Sequence, residues 1–244
     1  MGEGTRNDLK IAGSTTVAGG IFNRVTIAGQ AEINGNLDCI DFKVTGSSEV
    51  KGNLKAETLK VSGSAAIEGN LQSDEVKISG SFTSRGGLSV KKINISGSAD
   101  IAGDISAEEV QVSGSLATKS DCEAESFVAM GSVTIGGMLN AGNIDIKHYG
   151  SSRAKEIGGE HIIVRTHVTL GLHKIIKLFH PPSKFTAETI EGDDIHLEYT
   201  RAKVVRGNNV HIGPGCEVDL VEYKDTFQQD REATVKEQKR MSPE

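Results

Sequence analysis

The sequence predicts an all-β fold, a right-handed parallel β-helix (solenoid) with about 17-residue triangular coils. Three observations predict it: an internal repeat, period-two apolar alternation within each repeat, and a scarcity of large aromatic residues. The repeat is plain to read. Leu59-Lys-Val-Ser-Gly-Ser64 recurs as Val76-Lys-Ile-Ser-Gly-Ser81, Ile93-Asn-Ile-Ser-Gly-Ser98 and Val110-Gln-Val-Ser-Gly-Ser115, with looser copies beginning at Leu9, Val25, Phe42 and Phe127. The corresponding glycines are Gly13, Gly29, Gly46, Gly63, Gly80, Gly97, Gly114 and Gly131, and after the first interval every spacing is 17. A fixed short period of this kind is the signature of a solenoid.

Within one repeat, Leu59 to Glu75, three short runs alternate apolar and polar positions: Leu59 and Val61, Ala65 and Ile67, Leu71 and Ser73. Period-two alternation marks strands with one face inward. Polar, glycine-bearing triplets separate the runs, and glycine tolerates the positive φ that a sharp corner requires. A lone coil could not hold together. Each buried aliphatic contributes about 1.5–3 kcal/mol, whereas ordering the backbone costs about 1–2 kcal/mol per residue. Stacking pairs each strand with its counterparts in neighbouring coils, about 4.8 Å away, and makes the structure stable.

Stacking makes residues 17 apart direct neighbours, and the charges follow this in part. Lys51, Glu68 and Arg85 alternate in sign along one column, and Lys91-Lys92 lie between Asp74-Glu75 and Glu108-Glu109; Glu32 over Glu49 and Glu108 over Glu125 break the rule. Ser47, Ser64, Ser81, Ser98, Ser115 and Ser132 form a corner column, read either as a hydroxyl ladder or as plain turn chemistry. Ala56, Ser73, Ala107, Ala124 and Ala141 share an inward column with Cys39, while Cys122 takes the place of Leu71 and Leu88. Both cysteines therefore read as small buried hydrophobes.

Composition agrees with a thin aliphatic core: 36% hydrophobic, 4% aromatic, no Trp, and 29 Gly against 4 Pro. The net charge of -6 argues against a nucleic-acid partner, which would require a clustered basic face. No stretch approaches the roughly 20 apolar residues of a membrane span. Met1–Asp8 carries no signal-peptide core, so a cytoplasmic location is expected. Cys39, Cys122 and Cys216 suggest neither a disulfide framework nor a metal site.

Four regions follow: an N-terminal tail over 1–8, regular coils over 9–149, divergent coils over 150–223 with an insert near 165–184, and a charged, flexible tail over 224–244. After Ile146 the register slips by one, giving Ile157 and Ile162 as the next aliphatic pair. In the insert, Leu172, Ile175, Ile176 and Phe179 lie at helical spacing with Lys174 and Lys177 opposite, before Pro181 and Pro182. Such an element either covers one face of the solenoid or docks a partner or an anionic membrane surface. Phe185-Thr-Ala-Glu-Thr-Ile190 then echoes Leu54-Lys-Ala-Glu-Thr-Leu59, and short strands follow at Ile195–Leu197, Val204–Val205, Val210–Ile212 and Val218–Val221.

The iterated Val-Ser-Gly-Ser and Gly-Asn-Leu elements, joined by Ala-Glu-Thr-Leu segments, resemble the bactofilins, bacterial polymer-forming cytoskeletal proteins. The resemblance covers 9–146 clearly and 185–223 more weakly. It implies a right-handed β-helix that polymerises without nucleotide into non-polar filaments. Such filaments serve as scaffolds for cell-envelope, cell-shape or motility machinery, often at the inner face of the membrane. The implied partners are further copies of the chain and envelope or motility proteins. The chain departs from the family in having more coils with a broken second half, and in the absence of a hydrophobic anchor within Met1–Asp8.

Two other classes compete. Left-handed β-helix acyltransferases use 18-residue coils and a loop histidine, and the 17-residue pitch argues against them. All seven histidines nevertheless fall in the second half, with His167 and His173 flanking the insert. A monomeric adaptor would use the insert as its docking surface. No cofactor is expected, and no His-x-x-x-His or paired-cysteine spacing marks a zinc site. Asp104 and Asp121 stack with Asn53 and Asn70 as a weak calcium candidate. Gly19-Gly20 and Gly136-Gly137 are corners rather than phosphate loops, because no helix follows them. The favoured reading is assembly through solenoid ends, whose unpaired strand edges are prone to pairing. Leu9 and Ile11 are the expected contacts at one end, and Val218, Leu220, Val221 and Phe227 at the other unless the charged tail covers them.

Overall fold

The computed structural model describes residues 6–166 and 183–242, and every regular element among them is a β-strand. The chain divides into two compact units, residues 1–120 and 121–244. Each is a parallel β-solenoid.

The first unit opens with β1 (Asn7–Ile11), β2 (Ser14–Ile27) and β3 (Gln30–Val44). Short and eight-residue strands then alternate: β4 (Ser47–Lys51), β5 (Leu54–Val61), β6 (Ser64–Ile67), β7 (Leu71–Ile78), β8 (Ser81–Ser84), β9 (Leu88–Ile95), β10 (Ser98–Ile101), β11 (Ile105–Val112) and β12 (Ser115–Thr118). The predicted columns are present. Val61 pairs with Ile78, Ile78 with Ile95 and Ile95 with Val112, each 17 residues on. The first interval is 16, with Leu9 opposite Val25 and Ile11 opposite Ile27.

In the coil beginning at Leu54, the buried residues are Leu54, Ala56, Leu59, Val61, Ala65 and Ile67, before Leu71 starts the next. They form three inward pairs. The phase of alternation breaks between Ala56 and Leu59, where Glu57 and Thr58 turn the chain inside β5. That corner carries no glycine, contrary to the expectation of a glycine at every corner.

The repeat glycines also act differently from expectation. Among the described glycines, positive φ occurs at Gly20, Gly35, Gly150 and Gly215, and at none of the Val-Ser-Gly-Ser glycines. Close approach is what requires them: a Cβ on Gly63 would lie 2.0 Å from the Gly46 carbonyl oxygen, and one on Gly80 1.9 Å from that of Gly63. The serine column forms no hydroxyl ladder. Its amides instead donate to glycine carbonyls of the preceding coil, as Ser64 N to Gly46 O at 2.9 Å and Ser81 N to Gly63 O at 2.9 Å.

Large and small side chains interlock along each column. Phe82 pairs with Ala65 on one side and Ala99 on the other, and all three are buried. Ser73, inward in the Cys39 column, satisfies its hydroxyl on the carbonyls of Glu57 and Glu75. Outside, Lys91 meets Asp74 at 2.8 Å, Lys92 meets Glu109 at 2.7 Å and Arg85 meets Glu68 at 3.3 Å. Glu32 does pair with Glu49 in register, and Lys51 reaches Glu32 at 2.7 Å to offset that clash.

The second unit comprises β13 (Cys122–Ala129), β14 (Ser132–His148), β15 (Ser152–Thr166), β16 (Phe185–Leu197), β17 (Thr200–Ile212), β18 (Glu217–Gln229) and β19 (Thr234–Arg240). The one-residue slip is present, with Leu139 opposite Ile157 and Ile144 opposite Ile162. Ile157 then pairs with Ile190, Ile190 with Val205, and Val205 with Val221. The pitch therefore shortens to 15 and 16 residues after β16.

The expected flexible tail over 224–244 is corrected over most of its length. Residues 224–229 complete β18, and β19 pairs in parallel with it, Val218 opposite Val235 and Val221 opposite Gln238. The charged composition of this stretch reflects an exposed outermost strand rather than an unstructured chain, since charge is how edge strands avoid stray pairing.

Candidate assembly surfaces

The two termini of the described chain present different strand edges. β1 pairs with β2 through Leu9–Val25 and Ile11–Ile27, and among the described residues its other edge has no strand partner. The start of β2, from Ser14 to Ala18, likewise pairs only with β3. One coil in, Val25, Ile27 and Ile33 are fully buried, whereas Leu9 and Val17 at the equivalent outer positions are only half-buried. Ile21, 65% exposed, and the half-buried Phe22 extend this apolar margin. No charged residue or proline occurs from Ile11 to Phe22, so the usual devices that block an edge are missing there. Ile11 is already buried at 6% exposure; Leu9 is the more accessible of the two predicted contacts. The coil is fastened by Arg6 on Asp38 at 3.0 Å and by Asn23 Nδ2 donating to Asp8 at 2.9 Å.

At the other end the charged tail covers the expected contacts. Val218 and Val221 are 2% and 0% exposed, because β19 lies over them. Leu220 is half-buried opposite Glu237. Phe227 is half-buried and stacks on Tyr223, ring centroids 5.4 Å apart. The outermost strand is β19, whose exposed Lys236, Glu237, Lys239 and Arg240 make a guarded edge of mixed charge.

The docking residues Leu172, Lys174, Ile175, Ile176, Lys177 and Phe179 lie outside the described residues, as do His167, His173 and His180. No helix among the described residues is long and apolar enough to cross a membrane.

Other features resolve into architecture. A groove of about 730 Å³ along the first unit follows Asn36, Asn53 and Asn70. Their Oδ1 atoms accept the amides of Asn53, Asn70 and Gly87 at 2.8–2.9 Å, which ties coil to coil. In the second unit, Asp121 Oδ1 accepts the amide of Met138 at 2.7 Å. The three cysteines are buried and unbridged. Burial pushes the thiols of Cys39 and Cys122 up to about 12, and that of Cys216 up to about 11, so none forms the reactive thiolate at neutral pH.

One contact escaped sequence reasoning. His196 and His211 are register partners on β16 and β17, their Nδ1 atoms 2.9 Å apart. The signal is present as Ile195-His-Leu197 and Val210-His-Ile212, two matching triplets 15 apart, out of step with the 17-residue repeat.

These features define short-coil parallel β-solenoid units, the first of which has an apolar outer edge over Ile11–Phe22 among the described residues. Residues 2–89 match the family model of the bactofilins, described as polymer-forming cytoskeletal, the family whose motifs the repeat resembles. Two relatives from Bacillus subtilis (strain 168) are also similar. The uncharacterized protein YhbE is 44% identical over 102 residues, 41% of this chain and 42% of its own length. The uncharacterized protein YhbF is 36% identical over 106 residues, 43% of this chain and 42% of its own. The chain thus spans under half the length of each. No solved structure matches.

Proposed function

We propose that this protein is a structural scaffold, acting in the cytoplasm, that self-assembles end to end without nucleotide into filaments. The observation that carries this reading is the uncharged, proline-free outer edge from Ile11 to Phe22, with Leu9 and Val17 left half-buried. A second copy pairing there supplies the missing strand hydrogen bonds and covers the same columns that Val25 and Ile33 bury one coil further in. The primary contact is this N-terminal edge. Growth beyond it would use the β19 edge, whose mixed charge blocks indiscriminate strand pairing but can meet the complementary charges of a second copy through ion pairs. The family description as polymer-forming supports self-association, and the filaments would organise cell-envelope, cell-shape or motility machinery. The role is architectural rather than catalytic.

The test is analytical sedimentation of wild type beside Leu9→Lys and Val17→Lys. Both side chains are partly exposed, so the β circular dichroism should be preserved. The large assemblies of wild type should be lost in both variants. Assemblies that persist in both would show that this edge is not the contact.

A further inference from the structure

We propose that His196 and His211 form a binding site for a divalent transition-metal ion, Ni(II) or Cu(II) ahead of Zn(II), on the outer face of the second unit. The two imidazoles project from adjacent coils with their Nδ1 atoms 2.9 Å apart and their rings nearly perpendicular, at 84°. Two Nδ1 atoms at that distance need something between them. In the metal-free protein it is a proton, donated by one neutral ring to the lone pair of the other.

Glu198 indicates which lone pair is available. Its Oε1 lies 3.4 Å from His196 Nε2, so the carboxylate accepts the Nε2 proton and leaves Nδ1 of His196 bare, facing His211. A carboxylate behind an imidazole is the outer-shell arrangement that orients histidine ligands and raises their basicity. His211 becomes the second ligand by moving its proton from Nδ1 to Nε2, with no net proton release.

The site is also reachable. Both histidines line a groove of about 420 Å³ together with Ile163 and Gln228, their register partners on the flanking coils. His161 is engaged separately, its Nδ1 3.1 Å from Asp194. Among the described residues no group of three or more His, Cys, Asp or Glu side chains converges. The ion would therefore hold two protein nitrogens and complete its shell with water. Nitrogens 2.9 Å apart subtend about 90° at a metal about 2.05 Å from each, the cis angle of a tetragonal ion. A tetrahedral zinc would require the rings to part by roughly 0.5 Å.

The probe is Ni²⁺ itself, titrated into full-length protein against a chromogenic chelator. Wild type should bind one equivalent that His211→Gln and His196→Gln each remove. Glu198→Gln should keep that equivalent with affinity lowered roughly 10-fold, and His161→Gln should leave it unchanged. The bound ion should also raise the thermal midpoint of wild type but not of His211→Gln. Should the histidine variants misfold, Cu²⁺ on wild type gives an independent reading: superhyperfine structure from two imidazole nitrogens in its electron paramagnetic resonance spectrum. Wild type that takes up no ion, histidine variants that bind as tightly as wild type, or a copper spectrum without two nitrogens would each overturn the proposal.

Discussion

Gly63 stands so close over Gly46 that a Cβ on Gly63 would fall 2.0 Å from the Gly46 carbonyl oxygen. The same approach recurs up the first unit, and it sets how tightly coils can stack at this corner. Gly63→Ala should therefore push two coils apart although the backbone there is not in a left-handed conformation. The expected loss is at least about 2 kcal/mol, the scale of overpacking against backbone that cannot retreat. Urea denaturation would register it as a lowered midpoint. Gly13→Ala is the matched control, since a Cβ there meets nothing within 4 Å.

Phe82 fills the space between Ala65 and Ala99. Phe82→Ala would place three alanines in succession and leave a cavity that the regular backbone cannot collapse around. A loss of about 3–5 kcal/mol is expected, again read from denaturant midpoints. Phe82→Leu should lose much less.

Lys92 is flanked in register by Glu75 and Glu109 and bonds the latter at 2.7 Å. Lys92→Glu would set three carboxylates in one column. These side chains are partly exposed, so the cost should be about 1 kcal/mol or less, shrinking as salt is raised. A cost that is unchanged in high salt would mean that the column acts by packing instead.

His148 is fully buried, donates from Nδ1 to the Gly150 carbonyl at 3.1 Å, and has no hydrogen-bond partner for Nε2. Burial depresses its folded pKa. A base with a depressed folded pKa takes up its proton more readily when unfolded. The associated stability is present above the unfolded imidazole range and falls as pH drops through and below it. Denaturation at pH 7.5 and pH 5 should show wild type losing stability, and His148→Met should lose less over the same interval.

Much of the fold was legible because the repeat records contacts directly. Val61, Ile78, Ile95 and Val112 share a column for the same reason that they are 17 apart, and the slip to Ile157 and Ile162 could be read from the change of spacing. The role of glycine was misread because sequence shows residue identity but not which atom of the coil below stands opposite. The strand at Thr234–Arg240 was missed since an outermost strand buries little; Val235 is its one inward aliphatic. Val218 and Val221 were expected contacts only if the charged tail left them open, and β19 covers them. The His196–His211 contact was hidden by a coil of 15 residues among coils of 17.

If the β19 edge joins copies through Lys236, Glu237, Lys239 and Arg240 while the N-terminal edge joins them through apolar residues, salt should separate the two contacts. Negative-stain microscopy of the purified full chain, without nucleotide, tests the central claim most directly. At low salt the account predicts unbranched filaments, which shorten toward paired particles as salt is raised. Single, unpaired particles at every salt concentration would contradict it.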